Sequence, residues 1–198
     1  MSPEKCRAVA SYTFPCGVVG GAILYEHVRS LSRAVSLPDF DREWSRQYAE
    51  QAARIADVLG TLAPTIEHIG STSVPLRGKP IIDIQVAVEE ASLARAIVAL
   101  EELGYRHHGQ GAVPGREYLT SRPVQGPSVN VHVFARDSSL LRDNRIIRDY
   151  LRAHPHAARE YVRSKEKALE QGHTDLRAYS HAKAQCVAAI REAADALR

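Results

Sequence analysis

Residues His68 to Val86 read HIGSTSVPLRGKPIIDIQV, and this segment decides the fold. Its first part, Gly70-Ser71-Thr72-Ser73, is a turn of small residues whose backbone N–H groups and hydroxyls can hold phosphate without a bulky side chain. Its second part, Pro80 to Val88, alternates as a strand: Ile82, Ile84, Val86 and Val88 share one face, and Ile81, Asp83, Gln85 and Ala87 share the other. Asp83 and Gln85 therefore point the same way. Eleven residues separate Ser71 from Asp83, and Lys79 supplies a cation between them. A lone Gly-Ser pair is usually a plain surface turn. What singles this one out is the strand–turn–strand unit, which also carries a cation and a hard oxygen ligand suited to Mg²⁺.

Working outward, Pro38-Asp39 and Asp41 mark a helix start, with Trp44, Tyr48, Ala52, Ile55 and Leu59 at helical spacing up to Gly60 or Pro64. Ile66 to Ile69 is a short strand running into the turn. Ser92 to Leu103 reads as a helix with Leu93, Ile97 and Leu100 on one stripe and Gly104 where a left-handed cap is wanted. Two more strands follow, Arg116 to Ser121 and Ser128 to Phe134; the second alternates Val129, Val131 and Val133 against Asn130, His132 and Phe134. After Asp137 strand signals stop, and helices are predicted at about 138–152, 155–171 and 175–197. The expected organisation is an arm over 1–36, an α/β (α+β) core of mixed sheet and helices over 37–136, and C-terminal helices over 137–198 that pack across its cleft.

The totals are consistent with this. A chain of 198 residues, 44% apolar and 25% charged, is an ordinary globular composition. The net charge of +3 suits a local anion site better than a duplex-coating surface, so nucleic acid is the less favoured partner. Cys6, Cys16 and Cys186 form neither a disulfide framework nor a zinc spacing, which points to a cytoplasmic setting. The apolar segment Val18 to Tyr25 is interrupted by Gly20 and Gly21 and is far short of the ~20 residues a membrane span needs.

A Gly-Ser turn followed by a strand bearing Asp-hydrophobic-[Asp/Glu]-hydrophobic resembles the signature of the nucleotidyltransferase superfamily, whose fold is like the palm of DNA polymerase β. More closely, EHIGSTSVP, KPIIDIQVAV, LEELGY, NVHVF, RDYLRAHPHAAREY and YSHAKAQ together resemble the GrpB-like family within it, over roughly Asp41 to Ala194. That resemblance implies Gly70 and Ser71, with Thr72, on nucleotide phosphates and Asp83 on a metal, with Arg116 and Arg148 further candidates for substrate contact. Two departures stand out. Gln85 occupies the place of the second carboxylate, and the nearest candidate for a third on a later strand is His132. The linker VPLRGKP is also one residue shorter than the family's Val-Pro-Gly-Leu version.

These departures limit the chemistry. Two Mg²⁺ ions about 3.5–4 Å apart need several anionic ligands, and Asp83, Gln85 and His132 supply one negative charge. A single Mg²⁺ held by Asp83 and the Gln85 amide oxygen is the expectation. His132 suits a general base better than a Mg²⁺ ligand, although a strand histidine satisfied by its neighbours is equally compatible with the pattern. On the last two helices Tyr161 and Lys165, and Tyr179 and Lys183, sit one turn apart on faces that should be buried. Snorkelling lysines at a rim would explain them; the alternative puts Lys165 and Lys183 over the turn, neutralising triphosphate or charge in the transition state. Glu67 and His68 orient the turn or touch substrate, Arg152 and Asp149 read as a solvated or inter-helix pair, and His107-His108 and His154-Pro155-His156 read as solvated loop positions.

The functional expectation is a Mg²⁺-dependent enzyme that binds a nucleoside triphosphate through Gly70, Ser71, Lys79, Lys165 and Lys183 and nucleotidylates a small acceptor. With a carboxylate acceptor and a following amine, the same chemistry becomes ATP-dependent ligation. The competing expectation is a nucleotide- or RNA-binding module without turnover.

Overall fold

The computed structural model describes residues 37–111, 113–170, 187–194 and 196. The expected arm over 1–36 and the stretch carrying Tyr179 and Lys183 lie outside the described residues. Helix α1 (Glu43–Leu59) starts where Asp41 accepts the Glu43 N–H at 2.9 Å, and it buries Trp44, Ile55 and Leu59. A short 3₁₀ turn and Ala63, at φ 47°, redirect the chain into β1 (Thr65–Ile69). After the Gly-Ser segment come β2 (Ile81–Val88), α2 (Leu93–Glu102), β3 (Arg106–His107), β4 (Arg116–Ser121) and β5 (Ser128–Ala135). Helices α3 (Ser139–Ala153) and α4 (Pro155–Glu170) follow, and residues 187–194 are again helical.

The five strands form one mixed sheet in the order β1-β2-β5-β4-β3. Only β2 and β5 run parallel, because α2 and the β3–β4 hairpin supply the crossover between them, and the other pairs are antiparallel. Strand β3 was not anticipated, since two residues carry no readable alternation. Gly104 takes φ 97° and closes α2 as the sequence requires, its N–H on the Glu101 carbonyl at 2.9 Å.

Strand alternation divides the sheet into two unlike faces. Ile82, Ile84, Val86 and Val88 pack with Leu119, Val129, Val131 and Val133 under α1 and α2 to make the main core. The opposite face carries Glu67, Asp83, Gln85, Tyr118, Asn130 and His132 in register across four strands. At one end Ala87 and Phe134 receive Leu141 of α3. A separate apolar cluster joins Val74 and Leu76, just beyond the Gly-Ser turn, to Leu151, Ala158, Tyr161 and Ile190. The C-terminal helices are thus anchored on the segment that follows the turn. Among the described residues no helix is long and apolar enough to cross a membrane.

Leu119 has no exposed surface, so Leu119→Ala should lower the unfolding free energy in urea by about 2–5 kcal/mol. Val98→Ala, at a position 54% exposed, should change it by less than about 0.5 kcal/mol.

Candidate functional site

The antiparallel register sets Ile69 opposite Asp83, which brings the first residue of the turn onto the Asp83 carboxylate. Gly70 has φ 70°, and a Cβ placed on it would lie 2.4 Å from Asp83 Oδ2. Only glycine fits there, for conformation and for space. Ser71–Ser73 form a 3₁₀ turn, in which the Ser73 hydroxyl donates to the Gly70 carbonyl at 2.7 Å. Arg152 clamps the far side of the turn, giving both Nε and Nη2 to the Ser73 carbonyl at 2.9 and 2.7 Å.

Lys165 comes to this turn from α4. It is 2% exposed, its Nζ donates to Ser71 Oγ at 3.0 Å, and it lies 4.4 Å from the centre of the Tyr161 ring. Gly78 closes the opposite wall: a Cβ there would come within 2.9 Å of Ser71 Cβ and 4.0 Å of Lys165 Nζ. Lys79 is half-buried in the same loop, directly ahead of β2. The loop glycine thus meets the Asp83 carboxylate, and one ammonium group meets the hydroxyl of the next residue.

Asp83 Oδ1 accepts from Asn130 Nδ2 at 2.7 Å and faces His132 Nε2 at 3.5 Å, with the Asp83 and His132 side chains 22% and 15% exposed. Asn130 in turn accepts from the Tyr118 hydroxyl at 2.9 Å and from Arg122. The rings of His108, Tyr118 and His132 follow one another at 5.5 and 5.3 Å. Asn130 and Tyr118 were missed as site residues; the signal was the alternation of Asn130 with buried Val129 and Val131 and of Tyr118 with buried Leu119, but only the strand pairing shows which residue faces Asp83.

Several expected site residues have other tasks. Gln85 is 1% exposed; its amide donates to Glu67 at 2.8 Å and to the Leu141 carbonyl at 3.5 Å, and accepts from Asn144 at 3.0 Å. Its amide is engaged in securing α3 to the sheet. Burial raises the Glu67 carboxyl, but hydrogen bonds from Gln85 and Arg145 and the charges of Arg145 and Arg148 outweigh it, leaving the pKa below the usual carboxylate range. Thr72 is equally committed: its hydroxyl donates to the Ile81 carbonyl at 3.1 Å and accepts from His68 Nε2 at 3.0 Å. Arg148 donates to the His68 carbonyl at 3.2 Å and pairs with Asp149 and Glu67, so it braces β1. Arg116 does not reach the turn; it lies along the same sheet face, 4.9 Å over the Tyr118 ring. Nor are His107 and His108 solvated loop positions, since His107 pairs with Glu117 at 2.7 Å and His108 with Thr120 at 2.8 Å. His154 stacks on Tyr150, whereas His156 is exposed. Among the described residues no cluster of three His, Cys, Asp or Glu side chains is placed to hold a metal.

A profile of the GrpB protein family matches residues 34–193. The chain belongs to the GrpB family. It is 37% identical over 172 residues to a UPF0157 protein of Streptomyces coelicolor, covering 83% of this chain and 86% of that one. A UPF0157 protein of Halalkalibacterium halodurans is 33% identical over 167 residues, covering 82% and 84%. The crystal structure of the conserved protein GrpB from Enterococcus faecalis superposes with a TM-score of 0.71 at 31% identity, covering 80% of this chain and 96% of that one. The GrpB fold seen here, a mixed sheet flanked by helices with a Gly-Ser turn against an Asp of the neighbouring strand, is the α+β layout expected from the sequence.

His68 stacks on Tyr48 at 4.5 Å, and burial lowers its pKa to about 4; Asp83 opposes the fall, and Arg152 and Arg148 add to it. The imidazole is thus neutral at pH 7 and orients the turn through Thr72. Because the folded pKa lies below the ordinary 6.5, the native state binds fewer protons than the unfolded chain between these values. The stability this provides is complete above pH 6.5 and is lost as pH falls toward 4, on the order of 2–3 kcal/mol. Unfolding free energies measured across this range should fall more steeply for the wild type than for His68→Gln. Separately, Gly70→Ala should destabilise the fold by at least about 1–2 kcal/mol in chemical denaturation, whereas Gly60→Ala, where a Cβ meets nothing within 4 Å, should be neutral or stabilising.

Proposed function

We propose that this GrpB-family chain binds a nucleoside triphosphate at the Gly70–Ser73 turn and transfers its nucleotidyl group to a small acceptor. The observation that carries the reading is Lys165, an almost fully buried ammonium group held over the Ser71 hydroxyl beside the Asp83 carboxylate. Burying an ammonium is costly, and its place against a turn of small residues would suit a polyphosphate. Lys79, in the loop before β2, adds cationic character on the same side. Lys183 and Tyr179 would belong to this pocket by the sequence pattern.

The donor set does not fit two metal ions, because Gln85 is withdrawn into the joint with α3 and Asp83 is the carboxylate that remains beside the turn. It fits one Mg²⁺ arriving with the nucleotide, since that ion keeps waters and leans on phosphate oxygens with one or two protein carboxylates. Bound there by Asp83, the ion would polarise the phosphoryl group under attack. The acceptor's nucleophilic atom forms a bond to the α-phosphorus as the α–β anhydride bond breaks, and pyrophosphate leaves with that bond's electron pair. Lys165 holds the departing charge, and His132, next to Asp83, takes the acceptor's proton. A carboxylate acceptor would yield an acyl nucleotide, which an amine could then convert to an amide with release of the nucleoside monophosphate.

The withdrawal of Gln85 favours a second reading, a nucleotide-binding module without turnover. Calorimetry with ATP, with and without Mg²⁺, joined to a pyrophosphate-release screen over acceptors, separates the two. Lys165→Met should weaken ATP binding about 10–100-fold, the loss of one charge-assisted hydrogen bond. Asp83→Asn should remove the Mg²⁺ dependence of binding and all pyrophosphate release. Unchanged ATP affinity in Lys165→Met would reject the site. Binding indifferent to both Mg²⁺ and Asp83, with no release, would leave the module. Were RNA the ligand, affinity should fall steeply with salt, as counterion release requires.

A further inference from the structure

Arg116 stands apart from every other arginine of the sheet face in having a buried Nε–H with no hydrogen-bond partner. Its Nη2 donates to the Gln110 carbonyl at 3.3 Å, its guanidinium lies 4.9 Å over the Tyr118 ring, and among the described residues no carboxylate pairs with it. The β3–β4 loop folds against it: a Cβ on Gly111 would come within 3.1 Å of Nη2. Burial keeps the Arg116 pKa below the ordinary guanidinium value, with Tyr118 acting the other way, yet a guanidinium stays cationic at neutral pH. A half-desolvated cation with an unused donor is expensive unless something anionic completes it.

Its position says what that anion belongs to. Arg116, Tyr118 and Thr120 alternate on β4 and face the same side as His132 and Asn130, so Arg116 is the far end of a row that runs through Tyr118 and His132 to Asp83. The Gly-Ser turn and Lys165 lie at the opposite end, beyond Asp83. We infer that Arg116 is the anion-binding subsite for the acceptor, which lies along Tyr118 with a compact anionic group, carboxylate or phosphate, on Arg116 and its reacting atom near His132 and Asp83. The inference rests on the nucleotide reading above, but the subsite itself is testable without nucleotide. Arginine suits it because Nε and a terminal nitrogen form a planar fork that matches a carboxylate edge, and Tyr118 gives the acceptor's body a flat wall.

The orphan Nε–H is its own probe. In nitrogen-15 spectra of the full chain, the Arg116 Nε–H resonance is identified by its loss in Arg116→Lys. Titration with benzoate, and separately with inorganic phosphate, should shift it saturably, and the arm that binds more tightly names the anion. Arg116→Gln should weaken that binding at least about tenfold by calorimetry while changing ATP affinity less than about twofold. The subsite is overturned if neither anion moves the resonance saturably, or if Arg116→Gln binds the anion as the wild type does. It is also overturned as an acceptor site if ATP alone moves the resonance and Arg116→Gln loses ATP, because Arg116 would then belong to the nucleotide. Saturable anion binding in a chain that does not bind ATP would keep the subsite and reject the nucleotide reading.

Discussion

The site depends on one steric fact: the residue that opens the turn has no side chain. Asp83 Oδ2 occupies the space in which any Cβ at position 70 would sit, 2.4 Å away. The β1–β2 register forces this closeness, because Ile69 is paired with Asp83 and the next residue must pass over the carboxylate. The same residue requires φ 70°, which glycine adopts without strain. From that contact follow the direction of the Ser71–Ser73 turn and its closeness to a negative oxygen. The serine hydroxyl is thereby brought within reach of a lysine 94 positions further along the chain.

The lysine arrives because two different fastenings hold the C-terminal helices. One is apolar: Val74 and Leu76, immediately after the turn, insert among Leu151, Ala158 and Tyr161. The other is polar: Gln85 joins Glu67, Asn144 and the Leu141 backbone, and Arg145 completes the pairing of Glu67 at 2.6 Å. A buried amide with all its groups satisfied positions a helix more narrowly than an apolar contact does, since a shift along the sheet would leave a donor or acceptor unmet. The family-pattern carboxylate position has thus become a structural joint, and a second carboxylate there would face Glu67 across the strand pair.

The sheet face consequently has polarity along its length. Its turn end is cationic, around Lys165 and the Gly-Ser segment; its middle is the Asp83–Asn130–His132 group; its far end is Tyr118 and Arg116. The proposed two-substrate reading would need two regions with one reacting zone between them, held by rigid elements. Strands and their register hold these three groups in fixed order.

Most of the fold was legible in the sequence, because alternation of β-branched residues and helical spacing are local signals. Strands over 116–121 and 128–135 and helices ending at Gly104 and before Pro155 lie where residue patterns put them. The turn, Asp83 and Lys165 were also legible, since spacing and an oddly placed cation on an apolar stripe are visible in one dimension. What tertiary structure alone decided was which polar groups are used internally. Gln85, Thr72, Arg148 and Arg152 resemble ligands or surface charges in the chain but satisfy backbone and side-chain partners in the fold. Asn130 looks ordinary in sequence and Arg116 stood out only through the family resemblance, yet strand pairing sets one against Asp83 and leaves the other with an unmet donor. Hydrogen bonds between residues dozens of positions apart depend on register and helix docking, which no local pattern encodes.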